Sequence, residues 1–303
     1  MNRRHFLHRA ALGGVLLSGA ALPGRPAVVG SERRLTILHT NDWHSRIDPF
    51  PEDGSRHAGQ GGAVRRAELI AQVRAAEPNV LLFDSGDIFQ GTPYFNFFQG
   101  ELEMKLMSQM GYDAATIGNH DFDGGLANLA TQLQHAAFPM LSANYDFSGT
   151  ELAGRTEPYR VFERGGIRVG VFGLGIRLAG LVPTPLYGAT QYQDPVQRGN
   201  QTASHLRSRQ NCDLVVCLSH LGYRYADGQV SDLVLAQESS EIDLILGGHT
   251  HTFMDRPVTV GNRNGDPVII NQVGFGGLLV GRLEVTFPGA RGRKCVACRN
   301  LRV

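Results

Sequence analysis

Residues 79–87 read "NVLLFDSGD", an apolar run of strand length that stops abruptly on Asp84, Ser85, Gly86 and Asp87. The same succession of a strand and a polar turn recurs along the chain. Upstream, "RLTILHT" (34–40) reads as a strand running into "NDWH", and "AVRRAELIAQVRAA" (63–76) as the helix that follows. Downstream come a helical "ELEMKLMSQM" (101–110), the strand "DAATI" (113–117) ending in "GNHDFD", the helix "GLANLATQLQHAA" (125–137) and the strand "FPMLSAN" (138–144). Strands alternating with helices predict an α/β layered fold. A Gly-Gly turn at 165–166 predicts a β-hairpin across 159–175, and a helix begins near Pro195. "DLVVCLSH" (213–220) and "IDLILGGHTH" (242–251) resume the strand-to-turn pattern. From 255 the chain turns to β character, and "GRKCVACRNLRV" at its end predicts an edge strand whose basic residues form a solvated face. No internal repeat or linker divides residues 31–303, which read as one domain.

Composition narrows the function. A chain of 303 residues, 42% hydrophobic and 19% charged, is ordinary globular usage, and a net charge of +1 supplies no field for a nucleic-acid polymer. Residues 1–30 stand apart. "NRRHFLHRA", then "ALGGVLLSGAAL", then Pro and Gly follow the charged, apolar and polar regions of a secretory signal. Arg3 and Arg4 ahead of Phe6 and Leu7 look like a twin-arginine export signal, which predicts a periplasmic protein. The apolar run is too short to span a bilayer and no Cys follows it, so no stable membrane anchor is expected. Cys212 and Cys217 share one strand-like run at odd spacing, which predicts opposite faces and free thiols. Cys295 and Cys298 form a C-x-x-C without the second pair that a tetrahedral zinc site needs, which leaves a disulfide open.

Five strands end on residues able to hold a metal: Asp42 and His44, then Asp87, Asn119, His220, and finally His249 with His251. In an open α/β sheet the carboxyl ends of strands converge on one crevice, so residues distant in sequence meet there. Asp, His and Asn are oxygen and nitrogen donors suited to zinc, manganese, iron or cobalt. Seven donors exceed the needs of one ion. With one carboxylate bridging, they divide between two ions, about 3.5–4 Å apart in two-metal hydrolases.

"ILHTNDWH", "LLFDSGDIFQGTP", "IGNHDFD", "CLSHLG" and "LGGHTH" together resemble the five blocks of the calcineurin-like metallophosphoesterases, and in particular the catalytic half of bacterial periplasmic 5′-nucleotidases. The resemblance spans residues 34–287 and implies a four-layer α/β/β/α sandwich. It implies that Asp42, His44 and His251 hold the first of two divalent ions, that Asp87 bridges, and that Asn119, His220 and His249 complete the second site. It also implies that Asn119 and His120 face the substrate, with His120 oriented by Asp123 and kept off the metal. A hydroxide bridging the ions would attack phosphorus while His120 assists the leaving group. Two positions depart from the common pattern without touching a ligand: Ser45 stands where Gly is usual, and Asp121 where Glu is usual. Asp121 has no assigned task at this stage beyond a helix cap or a partner to the ligands. Gly118 is expected to let the backbone turn off its strand.

Full-length relatives carry a second domain with the nucleoside-stacking aromatics and phosphate-gripping arginines, which this chain does not match. The expected substrate is a small phosphoester, a nucleotide first, with a separate polypeptide supplying the second half or with this domain recognising the substrate alone. The alternatives are a cyclic-nucleotide or nucleotide-sugar phosphodiesterase, a thiosulfohydrolase of sulfur oxidation, and a metal-stabilised subunit without activity. The aromatics of "YFNFF" (94–98) are open between flooring a site and packing a core.

Overall fold

A computed structural model describes residues 32–288 and 294–303. The export signal expected within residues 1–30 lies outside the described residues. So does the side chain of Cys295, and with it the question of a tail disulfide.

In chain order the strands are β1 (Arg33–Thr40), β2 (Val80–Asp84), β3 (Ala114–Thr116), β4 (Met140–Leu141), β5 (Tyr145–Asp146), β6 (Tyr159–Arg164) and β7 (Ile167–Gly175), then β8 (Gln191–Tyr192), β9 (Leu214–His220), β10 (Leu244–Gly247), β11 (Val258–Gly261), β12 (Pro267–Asn271), β13 (Leu279–Phe287) and β14 (Cys295–Arg302). The helices are α1 (Ala63–Ala76), α2 (Pro93–Phe98), α3 (Glu101–Met110), α4 (Gly125–Gln132), α5 (Thr184–Tyr187), α6 (Pro195–Ser208) and α7 (Asp232–Glu238). Two six-stranded sheets result, ordered β14-β13-β1-β2-β3-β4 and β11-β12-β10-β9-β7-β6. Each has a parallel run, β1 to β4 in one, with antiparallel β13 and β14 along one side, and β7, β9, β10 and β12 in the other, with antiparallel β6 and β11 at its two edges.

Side-chain alternation turns these sheets into four layers. In β9, Leu214, Val216 and Leu218 face the first sheet, where they meet Leu35, Ile37, Leu81 and Phe83. The intervening Val215 and Cys217 face α6 and α7 through Ala203, Leu206, Leu235 and Ala236. On the far side, Leu38, Leu82 and Ala115 pack against Ile70, Met104, Met107 and Leu129 of the other helical layer. Three apolar interfaces therefore separate helix, sheet, sheet and helix, as the α/β/β/α expectation required. Each fully buried Leu or Ile contributes roughly 1.5–3 kcal/mol to holding them together.

Several boundaries differ from the sequence reading. The strand expected over 138–144 shrinks to β4, because Ser142, Ala143 and Asn144 leave the ladder to bond Glu157, Gly173 and Gly175. The helix expected over 125–137 ends at Gln132 and tightens into a 3₁₀ turn at Leu133–His135. The α2 and α7 helices were not anticipated, being only six and seven residues long, too short for a repeated amphipathic pattern. Cys212 precedes β9, beside the left-handed Asn211, and packs in the same outer core as Cys217. The opposite-face expectation therefore fails, although both thiols are free. The tail does form an edge strand, β14. Among the described residues no helix is long and apolar enough to cross a membrane.

Candidate metal centre

The polar turns after β1, β2 and β3 in one sheet and after β9 and β10 in the other all leave the carboxyl ends of parallel strands, so the stacked sheets bring them together. Asp42, His44 and His251 form one set and Asp87, His220 and His249 a second, with the donor atoms of each set within 4.8 Å of one another. Asp42 Oδ1 lies 3.3 Å from His251 Nε2 and 3.9 Å from His44 Nε2. Asp87 touches both sets, its Oδ2 being 3.1 Å from His220 Nε2 and 3.9 Å from His44 Nε2. Asn119 Oδ1 is 2.8 Å from His249 Nδ1, beside the second set. All seven residues singled out in the sequence as donors thus converge.

The backbone beneath them is strained. Nine described non-glycine residues have positive φ, and five of these are Asp42, His44, Asp87, His249 and His251. Each such residue costs of order 1–3 kcal/mol, and a cluster of that kind persists only where the surroundings over-determine it. Ser45 is another, at φ 50°. That conformation suits glycine, so the departure noted in the sequence is one that adds strain.

The donors fit divalent cations. His44 and His251 point their Nε2 atoms at each other across 2.9 Å. His220 Nδ1 lies 2.7 Å from the Ser85 carbonyl and donates to it, which leaves the buried Nε2 facing the Asp87 carboxylate at 3.1 Å, where either a proton or a cation can lie between the two. Lone pairs aimed at one another in a buried cluster are repulsive unless protons or cations lie between them. Burial alone would lower the His220 pKa, but Asp87 outweighs it and lifts the value to about 10. Asp87 is held well below the usual carboxylate range, burial opposing and His220 prevailing. Burial, and then the charge of His220, depresses His249 to about 4.

Asp121, without a task in the sequence, is the anchor of the centre. Fully buried, it accepts from the backbone N–H of Asp87 at 3.1 Å, Ile88 at 2.9 Å, Phe89 at 3.1 Å and Gly118 at 2.7 Å. It ties the turn after β2 to the turn after β3. Asp121→Ala strands those donors, and we expect a loss of roughly 2–4 kcal/mol in a denaturant titration. An unchanged midpoint would remove the anchoring role. Gly118 also differs from expectation. Its φ is not left-handed; a Cβ there would lie 2.2 Å from Asp87 Oδ1, so the residue is small because the Asp87 carboxylate sits against it.

His120 opens a 3₁₀ turn, His120–Phe122. Its backbone N–H donates to Asp87 Oδ1 at 2.8 Å, and its Nδ1 is 2.8 Å from Asp123 Oδ2. The Asp123 hydrogen bond raises the His120 pKa against the opposing effect of burial. The ring lies edge-on to His44 with centroids 5.4 Å apart and lines a cavity of about 310 Å³ together with His44, His251, Arg46 and Phe275. Arg46 and Phe275 were missed in the sequence. Arg46 is two residues past His44 and could have been found in the same loop. Phe275, stacked on His251 with centroids 5.0 Å apart, sits in the turn between β12 and β13 and left no local signal.

Residues 35–253 match the calcineurin-like phosphoesterase family. The chain belongs to the calcineurin-like phosphoesterases. The sequence is 34% identical to snake venom 5′-nucleotidase of Gloydius brevicauda over 281 residues, covering 86% of this chain and 46% of the relative. It is 35% identical to the 5′-nucleotidase of Vibrio cholerae over 255 residues, 80% of this chain and 44% of that protein. The crystal structure of the 5′-nucleotidase precursor of Thermus thermophilus superposes with a TM-score of 0.80 at 34% identity, over 89% of this chain and 54% of that one. This calcineurin-like phosphoesterase thus spans about half the length of the relatives it matches.

Proposed function

We propose that this calcineurin-like phosphoesterase hydrolyses phosphate monoesters, nucleoside 5′-monophosphates foremost. The observation that carries the reading is the His120–Asp123 pair, set beside both donor sets and lining the cavity that opens from them. A binding module has no use for such a pair. The names of the relatives support the substrate class.

Asp42, His44 and His251 would hold one divalent ion and Asn119, His220 and His249 the other, with Asp87 shared. Two such ions would supply positive charge for phosphate oxygens and lower the pKa of an attacking water. The chain's own residues do the rest. The turns after β1, β2 and β10 hold their donors in strained conformations, so little reorganisation accompanies binding. Asp123 occupies His120 Nδ1 and fixes the ring, which leaves Nε2 as the edge that binds the phosphoryl group. With its pKa raised, His120 keeps a proton at Nε2 for the departing oxygen.

The test is turnover after reconstitution with manganese, zinc, iron or cobalt. AMP and p-nitrophenyl phosphate should be hydrolysed, chelation should abolish the activity and the metal should restore it. Absence of turnover on every monoester with all four metals would sink the reading, and faster cleavage of bis(p-nitrophenyl) phosphate would move the substrate to diesters.

A further inference from the structure

Next to the cavity at His120 lies a second one of about 340 Å³, lined by Arg46, Asp48, Pro93, Tyr94, Phe97 and Phe98. Arg46 lines both, so the two are neighbours sharing a cationic wall. The short helix α2 splits its aromatics between two jobs. Phe95 is buried and stacks on Phe89 with centroids 5.7 Å apart, which makes it core. Phe97 and Phe98 turn outward, 80% and 46% exposed. Tyr94 lies nearly parallel to Phe98, at 20° with centroids 6.4 Å apart, and its hydroxyl is fixed by Asp48 at 2.7 Å. Three aromatic rings beside one cavity wall are a costly surface to leave in water.

The Arg46 guanidinium lies 4.4 Å above the Phe50 ring and makes no ion pair among the described residues. A cation without a carboxylate, placed between a ring-lined cavity and the cavity that His120 faces, suits a ligand with an anionic end and a flat aromatic end. The volume is that of a small-molecule subsite.

We propose that this surface is the leaving-group subsite, where Tyr94, Phe97 and Phe98 stack the aromatic part of the substrate, a nucleobase or aryl ring, while Arg46 spans towards its phosphate. This rests on the phosphomonoesterase reading, because His120 places the leaving group on this side of the centre. It gives the domain its own means of recognising a nucleoside.

The experiment compares the wild-type protein with Phe97→Ser/Phe98→Ser, and with Phe97→Ser alone as the change least able to disturb folding. Adenosine binding is measured by calorimetry, and kcat/KM for AMP and for glycerol 3-phosphate by phosphate release. In the double variant, adenosine affinity and kcat/KM for AMP should each fall about 10-fold, the latter through KM, with glycerol 3-phosphate little changed. Phe97→Ser should lie between. Equal losses for both substrates, or unaltered adenosine affinity, would overturn the subsite. Unaltered adenosine affinity together with altered sedimentation would identify the patch as a protein contact instead. Weakened adenosine binding in a protein that hydrolyses nothing would keep the aromatic subsite and remove the phosphomonoesterase reading.

Discussion

Asp87→Asn is expected to release both ions and lower kcat by roughly 10³-fold or more, the several kcal/mol that metal charge contributes to such reactions. The Asp87 carboxylate lies close to a ring nitrogen of each set, His220 Nε2 at 3.1 Å and His44 Nε2 at 3.9 Å. Its other oxygen holds the His120 backbone N–H at 2.8 Å. An amide keeps the size of the side chain but removes the charge, and it gives up one acceptor oxygen. Four imidazoles then face the ions with Asp42 as the remaining carboxylate among the ligands. Elemental analysis of the purified variant should find fewer than two equivalents of metal, and addition of excess manganese should restore little activity. Two tightly held equivalents with near wild-type kcat would refute the bridging role.

In His120→Ala the metal content should stay at the wild-type level while kcat falls roughly 10²–10⁴-fold, the range of a lost general acid. His120 meets the centre through its backbone N–H and its ring edge, and it belongs to neither donor set. Asp123→Asn should show a smaller loss of the same kind, because it leaves the ring in place but withdraws the carboxylate whose hydrogen bond raises the His120 pKa. Parallel loss of metal and activity in His120→Ala would make the residue a ligand and contradict the assignment.

Asp87 and His120 were both legible, since each closes a strand with a residue type that has few other reasons to be there. Asp121 stands between Asn119 and Asp123 and was not legible. Its role depends on four backbone N–H groups, three of them more than thirty residues away, and N–H groups are common to every residue. His39 shows the converse. It lies in the same "ILHT" strand as the first block, yet it is buried away from the centre, with Asn271 at 2.8 Å, and burial pushes its pKa down to about 3. The aromatics of α2 were ambiguous for a geometric reason. A helix of six residues presents both faces within two turns, and which ring faces inward is decided by Phe89 and the cavity wall.

The alternation of the long strands and helices, the seven candidate donors and the residue types that suit a divalent metal were determined by the sequence alone, because periodicity and donor chemistry are properties of short stretches. The distances within and between the two donor sets, the anchoring by Asp121 and the close approach that keeps Gly118 small were decided only by the tertiary structure. β1, β2 and β3 lie in one sheet and β9 and β10 in the other. The distances between their ends are therefore set by how two twisted sheets stack across the apolar layer between them, which no single segment encodes.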